Sequence, residues 1–369
     1  MTIGVLHEPS PEPRVSLLPE HVAHLVKAGH KVVVQNEAGL KSFAFDDAYR
    51  AAGARMGTRV EVMQLSSLVL AMHIQHEKEW KDKVMIGDYR PLFAAEKMKQ
   101  LAEQKATIFS LDMLPRTTRA QSMDILSSQA NIAGYKAVLL AAQMLPRYFP
   151  MFMTAAGSIP PARVVIIGAG VAGLQAIATA KRLGAIVEVS DTRPAVKEEV
   201  QSLGAKFIEV EGAADASGAG GYAVEQTEEY KQRQRERLAE SISKADVVIT
   251  TAAIPGRKAP VIITKEMIRS MKPGSVIIDL AASTGGNTEL TENNQTVVHH
   301  FVSVVGDSHL QNTAPSDASR LYGKNILNFL ELIIQKDGNL NLNFEDELVK
   351  GACITHGGRV VNERVAALL

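Results

Sequence analysis

Three glycines, Gly168, Gly170 and Gly173, follow the apolar run RVVII and open the run VAGLQAIATAKRLG. This order predicts a strand, a tight turn and a helix. Gly168 would allow the turn, Gly170 would let a ligand approach the backbone, and Gly173 would let the helix pack close to the strand. Because the first N–H groups of such a helix lie at its positive end, the pattern is typical of a phosphate-binding turn.

An acidic residue, Asp191, ends the next apolar run, AIVEVS. Strand, glycine turn, helix, strand and acid together indicate a dinucleotide-binding unit, and the alternative is a glycine turn that serves packing alone. Asp191 would accept hydrogen bonds from the adenosine ribose hydroxyls, and its charge favours NAD(H) over NADP(H). Thr192 and Arg193 follow and are expected at the same site. Arg193 could pair with a 2′-phosphate, lie over the adenine or point into solvent.

A second polar stretch, PRTTRAQSMDILSSQ, begins at residue 115 and precedes a long helical pattern. Gln121 offers an amide donor and acceptor, and Arg116 offers planar donors that Asp124 could hold in position. Ser122 or Ser127 could supplement them. These groups suit the nicotinamide half of a dinucleotide that extends toward a neighbouring domain. The spacing is equally compatible with a helix cap, in which Asp124 stabilises the first turn and the capping hydroxyl belongs to Thr117, Thr118 or Ser122.

Short β-branched runs alternate with helical patterns along the chain, which predicts an α/β fold with mostly parallel sheets. The predicted strands include residues 31–35, 106–110, 162–168, 185–190, 245–251 and 275–280. Helices at about 120–145 and 316–336 are expected to join two Rossmann-like domains. One domain would be discontinuous, from residues 1–139 and 309–369, and the other would be a Rossmann domain of residues 140–308.

Two segments outside these elements are also interpreted from their composition. The composition of residues 148–163 predicts a joint, that is, a segment that connects two structured parts of the chain. Within it, Pro160-Pro161 would stop any helix just before a strand. The tail from Asp337 predicts short strands separated by Gly357-Gly358.

Composition excludes several classes of function. The chain of 369 residues has 40 Lys and Arg and 40 Asp and Glu, so it has no net charge to support nucleic-acid binding or a polybasic membrane anchor. One cysteine, Cys353, precludes intrachain disulfides, and we interpret it as an ordinary apolar residue. The acidic, proline-rich N-terminal residues are unlike a signal or transit peptide. His73 and His76 are interpreted as exposed residues of a polar loop, and no metal site is predicted.

The run PRTTRAQSMDILSSQANIAGYKAV closely resembles the signature of domain I, the NAD(H)-binding region of the alpha subunit, of proton-translocating NAD(P) transhydrogenase, in the alanine dehydrogenase/transhydrogenase superfamily. The resemblance continues through MTAAGSIPPARVVIIGAGVAGLQAIATAKRLGA, GGYAVE and MKPGSVIIDLAASTGGN to GKNILNFL. It covers most of residues 110–335. The first hundred residues match less well, mainly at RVSLLPE, residues 14–20.

The resemblance implies a binding role for individual residues. The residues that would hold the nicotinamide end are Arg116, Gln121, Asp124 and Ser127. Those of the glycine turn and the ribose acid would be Gly168, Gly170, Val171, Gly173 and Asp191. Gly221 and Tyr222 fall on the family's mobile loop, which closes over the nucleotide, and a glycine-rich segment with one aromatic residue suits such a lid.

The resemblance also implies a reaction and partners. The family passes hydride from NADH to NADP⁺ held on a separate domain, and couples this transfer to proton movement through membrane subunits. Hydride transfer between two nicotinamide rings needs no protein acid or base, only orientation and exclusion of water. We therefore expect a homodimer in the cytoplasm, peripheral to the inner membrane through its partner subunits, that binds NAD(H) while the partner binds NADP(H).

Two other functions remain open at this point. An enzyme similar to alanine dehydrogenase would need a lysine and a histidine in the first domain. The sequence reads LAMHIQHEKEW and, around Asp88, IGDYRP at those positions, so only Arg14 of that set remains. A non-catalytic module that senses NAD and recruits a partner is the second alternative, because hydride donation requires no acid–base residues.

Overall fold

The computed structural model describes residues 1–210, 227–254, 256–335 and 337–369. The chain forms two compact units. Unit 1 comprises Met1–Gln129 and Ala314–Leu369, and unit 2 comprises Ala130–Thr313. The discontinuous unit thus contains both ends of the chain.

All six strands predicted from the sequence occur. In chain order the described strands are β1 (Thr2–Val5), β2 (Lys31–Gln35), β3 (Arg55–Gly57), β4 (Leu68–Leu70), β5 (Val84–Gly87), β6 (Thr107–Ser110), β7 (Phe152–Thr154), β8 (Gly157–Ile159), β9 (Arg163–Ile167), β10 (Ile186–Ser190), β11 (Lys206–Phe207), β12 (Val247–Thr250), β13 (Val276–Asp279), β14 (Thr296–His299), β15 (Val302–Val305), β16 (Cys353–His356) and β17 (Arg359–Val360). The described α-helices are α1 (Pro19–Lys27), α2 (Asp46–Ala51), α3 (Arg59–Leu65), α4 (Ala95–Glu103), α5 (Ile125–Met144), α6 (Val171–Arg182), α7 (Lys197–Ser202), α8 (Glu228–Lys244), α9 (Lys265–Ser270), α10 (Pro315–Ile333), α11 (Glu347–Ala352) and α12 (Glu363–Ala366).

The sheet of unit 2 has the order β11-β10-β9-β12-β13-β15-β14, and all its pairs are parallel except β14 with β15. Its central strands are continuous apolar runs because helices cover both faces of such a sheet. The chain moves outward from β9 in one direction and then resumes at β12 on the other side. Ligands of open parallel sheets bind beyond the carboxyl ends of the strands at this switch point.

The sheet of unit 1 has the order β17-β16-β6-β5-β4-β1-β2-β3 and is parallel from β3 to β6. Its switch point therefore lies between β1 and β4. The chain's tail adds the antiparallel strands β16 and β17 at the edge beside β6, as the sequence predicted around Gly357-Gly358. The short helices α11 and α12, which flank these strands, were not predicted.

The two long helices differ from the expectation that both join the domains. Only α5 contains a unit boundary, which follows Gln129. Helix α10 begins at Pro315, inside unit 1, and its buried residues recur with helical spacing. Among them, Phe329 packs on Phe109 with a ring separation of 5.4 Å. Because this face is buried against unit 1, α10 belongs to that unit.

The segment predicted as a joint, residues 148–163, contains an antiparallel hairpin of β7 and β8. Its apolar side chains are largely exposed: Met151 is 62% exposed and Met153 is 73% exposed. Tyr148 and Phe152 stack on each other at 5.0 Å. Within the described ranges of the chain, no helix combines the length and apolarity needed to cross a membrane.

Candidate nucleotide-binding site

The glycine turn of unit 2 lies at the carboxyl end of β9, at the switch point of the sheet. Gly168 has a φ of +96°, a conformation that favours glycine. A Cβ atom on Gly173 would lie 1.9 Å from the Gly168 carbonyl oxygen, so α6 approaches the turn as closely as only glycine allows. The Thr251 hydroxyl, which follows β12, donates to the carbonyls of Ile167 and Gly168, both at 3.2 Å. These contacts fix the turn on two neighbouring strands.

The space above the turn suits an anion held against the backbone. Gly170 precedes the first residue of α6, and a Cβ atom built on it would meet no atom within 4 Å. Val171, the first residue of the helix, is 41% exposed. A helix of 12 residues presents its first N–H groups and its positive dipole end at this place. The residues of the turn therefore fit the pyrophosphate of a dinucleotide, whose binding here stays a prediction.

Asp191 lies directly after β10, and its carboxylate accepts four hydrogen bonds. Oδ2 accepts from the Ala169 N–H at 2.7 Å and from Arg193 Nη2 at 2.8 Å. Oδ1 accepts from the Arg193 N–H at 2.8 Å and from Arg193 Nε at 3.0 Å. Burial raises the pKa of the Asp191 carboxyl, but these hydrogen bonds outweigh burial and hold the pKa below its usual range. The carboxylate is thus ionised and only 5% exposed.

The guanidinium of Arg193 folds back onto Asp191, two residues earlier, and its side chain is 25% exposed. Its pairing with a 2′-phosphate and its position over an adenine stay predictions. Thr192, between them, is partly buried. The short Asp-Thr-Arg spacing was the available signal, because it allows the backbone and side chain of one residue to donate to the same carboxylate.

A buried polar network, which sequence reasoning missed, shapes the loops after β12 and β13. Asp279, fully buried, accepts from the Ala281 N–H at 2.9 Å and from the Asn287 N–H and Thr291 hydroxyl, both at 2.6 Å. The Asn287 amide in turn accepts from the Ala252 N–H and donates to its carbonyl. Asn287 therefore joins the two loops, and an acid at a strand end followed by Gly-Gly-Asn was the signal for it.

The alanines that follow β12 and β13 differ in their exposure. Ala281 and Ala282 are each 3% exposed, which supports packing. Ala252 is partly exposed and Ala253 is exposed. Of these four alanines, only the two in the loop after β12 are accessible to solvent.

In unit 1, the polar stretch after residue 115 forms a 3₁₀ helix, Thr118–Met123, before α5. Asp124 accepts from the Ser127 N–H at 2.9 Å and from the Ser127 hydroxyl at 2.5 Å. Asp124 thus caps α5. The helix cap that the sequence left open therefore occurs, and its acceptor is Asp124 rather than a hydroxyl of the preceding residues.

The other predicted residues of this stretch, Arg116 and Gln121, lie on a segment that is hydrogen-bonded to the rest of unit 1. Arg116 and Gln121 are exposed. Asn325 and Asn328 of α10 both donate to the Ser122 carbonyl, at 2.8 and 2.7 Å. These bonds hold the 3₁₀ helix on unit 1, so Gln121 extends from a fixed backbone. Gly221 and Tyr222 lie outside the described residues.

Arg14, the arginine expected in an amino acid dehydrogenase, is hydrogen-bonded to other residues of unit 1. It forms a two-bonded pair with Glu12, at 2.7 and 2.8 Å, and donates to Gln129 Oε1 at 2.9 Å. His73 also contacts Glu12 at 3.2 Å, and its side chain is 43% exposed, so it is a partly exposed residue with a partner. His76 is exposed as expected. The described residues contain no cluster of ligands suited to a metal ion.

Glu8 lies at the switch point of unit 1, beside the group formed by Glu12, Arg14 and His73. It is 1% exposed and accepts from the N–H groups of Met72 and His73, at 2.7 and 3.1 Å, just after β4. Burial raises the pKa of its carboxyl to about 7. A carboxyl group therefore fills the position in unit 1 where unit 2 has its glycine turn.

Comparison with known proteins gives a consistent picture. The family models for the alanine dehydrogenase/PNT N-terminal and C-terminal domains match residues 4–133 and 137–363. An NAD(P) transhydrogenase alpha-subunit polypeptide of Rhodospirillum rubrum is 45% identical, across 98% of each chain. An alanine dehydrogenase of Methanococcus maripaludis is 30% identical, across 82% of this chain and 80% of the relative.

A solved structure extends the similarity to three dimensions. The transhydrogenase from Sinorhizobium meliloti superposes with a TM-score of 0.89 at 44% identity, covering 98% of this chain and 100% of the solved one.

The contact between α6 and the glycine turn predicts opposite outcomes for two matched substitutions. Gly173→Ala should destabilise the protein by about 2 kcal/mol or more, because the new methyl group meets a backbone oxygen. Gly170→Ala should change the free energy of unfolding by about 1 kcal/mol or less, because the methyl group enters open space. Urea unfolding measures both values. Equal losses for the two variants would contradict this description of the turn.

The raised pKa of Glu8 predicts a pH-dependent stability. The folded protein holds the Glu8 proton more tightly than the unfolded chain, so its stabilising effect is complete below pH 4.5 and is lost as the pH rises to about 7. Glu8→Gln should therefore gain roughly 3 kcal/mol relative to the wild type between pH 5 and pH 8. Urea unfolding at both pH values measures the difference, with the exposed Glu345→Gln as control. Parallel pH profiles of wild type and Glu8→Gln would refute it.

Proposed function

The chain belongs to the alanine dehydrogenase/PNT family, and from this premise we propose that it is the NAD(H)-binding component of an NAD(P) transhydrogenase. The observation that carries this function is the 45% identity to a transhydrogenase alpha subunit across nearly the whole of both chains. The similarity to alanine dehydrogenase is more distant, at 30% identity. The chain is accordingly an oxidoreductase, and its partner supplies the hydride acceptor.

The residues of unit 2 bind and place the nucleotide in this proposal. The turn after β9 holds the pyrophosphate, with Gly170 leaving room for it and α6 directing its N–H groups toward it. Asp191 accepts hydrogen bonds from the adenosine ribose hydroxyls, and Thr192 and Arg193 lie directly after it in the chain. Bound NADH supplies the hydride. The chain needs no proton donor at the reacting carbon, since its contribution is orientation and exclusion of water.

The residues of unit 1 orient the nicotinamide end in this proposal. Gln121 and Arg116 contact the ring's carboxamide or the neighbouring ribose, which suits their exposure on an anchored segment. Asp124 and Ser127 serve mainly by fixing the start of α5, because their polar groups bind each other. These roles rest on the sequence resemblance and on the geometry of unit 1 alone.

The proposal extends to the partners. NADP(H) would be held by a separate domain, and membrane subunits would couple hydride transfer to proton translocation. The chain would work at the cytoplasmic face of an inner membrane through those subunits. The comparisons support a transhydrogenase subunit, and these finer features follow from the resemblance of the sequence.

An amino acid dehydrogenase is disfavoured by the state of Arg14. In such an enzyme a free guanidinium would be needed for the substrate carboxylate. Here three of the Arg14 nitrogens already donate to Glu12 and Gln129, and Arg14 is 8% exposed. A substrate carboxylate would have to displace Glu12, a residue that is itself 6% exposed.

Hydride transfer to a separate domain provides the direct test. The chain, mixed with an isolated NADP-binding domain of a transhydrogenase, should oxidise NADH when an NADP⁺ analogue is present. Gln121→Asn should slow single-turnover transfer by roughly tenfold while NADH affinity changes less than about twofold, because a shorter amide misplaces the ring without removing the binding groups. Stopped-flow absorbance measures the rate and fluorescence titration measures the affinity.

The control is Gln100→Asn, an exposed glutamine of α4 in the same unit. An unchanged rate for Gln121→Asn would exclude the orienting role. A wild-type protein that binds NADH and transfers no hydride would favour the sensor module, and turnover of alanine with NAD would favour the dehydrogenase.

We also propose that the exposed hairpin of β7 and β8 packs against a second copy of the chain. Met153, 73% exposed, and the stacked pair of Tyr148 and Phe152 form an apolar surface on unit 2. Met153→Asp should convert a dimer into a monomer in light scattering, because a carboxylate would be buried unpaired. Val298→Asp, at a position 65% exposed on β14, is the control and should remain dimeric. A wild-type monomer at micromolar concentration would rule the dimer out.

A further inference from the structure

The Asp191 carboxylate has its hydrogen-bonding capacity filled from within the chain. A carboxylate offers about four acceptor positions on its two oxygens. Two are used by backbone N–H groups, from Ala169 and Arg193, and two by the Arg193 guanidinium. Adenosine ribose would need two of these positions for its adjacent hydroxyls. Nucleotide binding at Asp191 therefore requires that two existing donors leave.

The two kinds of donor differ in their freedom to leave. The Ala169 N–H is fixed by the glycine turn, where the preceding Gly168 N–H bonds to the Ser190 carbonyl at 2.8 Å. The Arg193 N–H is fixed by the backbone that follows β10. The guanidinium is on a rotatable side chain that is 25% exposed, and it covers a carboxylate that is 5% exposed. The guanidinium is thus the group that a ribose would displace.

We propose that the Arg193 guanidinium is a built-in competitor for the ribose hydroxyls, so that Arg193 sets both the affinity and the selectivity of the nucleotide site. This inference rests on the proposed binding of NAD(H) by unit 2. NADH offers two hydroxyl donors, which replace the two guanidinium donors one for one. A 2′-phosphate offers acceptors only and cannot replace them on the carboxylate.

Selectivity follows from what happens to charge when the guanidinium turns away. With NADH, the Asp191 charge remains satisfied by the two hydroxyls and the two backbone N–H groups. With NADPH, the carboxylate would face a phosphate of the same sign, and the displaced guanidinium would be the compensating cation. Arg193 therefore weakens the binding of NADH and favours the binding of NADPH. Removal of its guanidinium should tighten NADH binding and weaken NADPH binding.

The test replaces the guanidinium with an uncharged chain of similar bulk, Arg193→Met. The Kd of Arg193→Met for NADH should fall by about five- to tenfold, because one or two guanidinium hydrogen bonds no longer compete with the ribose hydroxyls. The ratio of the NADPH Kd to the NADH Kd should rise by at least the same factor. Arg193→Lys, which keeps the charge but has no planar fork, should lie between wild type and Arg193→Met. Fluorescence titration and competition measure these constants.

Arg182→Met is the matched control, because it removes an exposed arginine of unit 2 at the end of α6. It should leave both constants within about twofold. Circular dichroism melting verifies that each variant folds.

Two results would overturn the inference. One is an NADH Kd for Arg193→Met that is equal to or weaker than the wild-type value, which would make Arg193 neutral or a ligand. The other is an equal tightening toward NADH and NADPH. Absence of NADH binding by the wild type would instead contradict the proposed function, so the two failures are distinguishable.

Discussion

The hydrogen bond from the Ala169 N–H to the Asp191 carboxylate joins the two halves of the candidate nucleotide site in unit 2. It spans from the turn after β9 to the end of β10, and the bond from the Gly168 N–H to the Ser190 carbonyl lies beside it. Together with the pairing of β9 and β10, these two bonds link the glycine turn to the acid. The groups that we propose bind phosphate and ribose thereby keep a fixed spacing on adjacent strands, as a dinucleotide requires.

In the proposed site the same carboxylate has a structural and a binding function, and the two demands conflict. Asp191 holds the turn as an ionised carboxylate that accepts several hydrogen bonds, and these hydrogen bonds lower its pKa. Binding ribose requires that the ribose hydroxyls can displace some of the groups that donate these hydrogen bonds. The structure divides the donors accordingly: the backbone donors maintain the turn, and the side-chain donors of Arg193 are those that can move. A single acid can serve both functions only because its donors differ in this way.

Local patterns predicted much of this architecture, and long-range contacts account for most of what they missed. Apolar runs located the central strands, and three glycines located the turn, because both depend on residues adjacent in sequence. The contact of His73 with Glu12 joins residues 61 positions apart, and nothing in the polar loop indicated it. Asn287 joins two loops across 35 residues in the same way. By contrast, α11 and α12 had local signals, since Asp346 and Asn362 cap them, and each helix was simply too short for a periodic pattern.

The two units have the same strand order around their switch points but opposite chemistry there. In unit 2, the chain after the first strand turns at Gly168 and leaves space for an anion. In unit 1, the chain after β1 places Glu8 against the N–H groups that follow β4, and Glu12 neutralises Arg14 nearby. An anionic phosphate at this second position would meet the Glu8 carboxyl, which already accepts from the Met72 and His73 N–H groups. Among the described residues, the proposed dinucleotide site is therefore placed in unit 2. Hydride transfer between two nucleotides then needs a second protein domain, which is the reason that the proposed reaction depends on a partner rather than on acid–base groups in this chain.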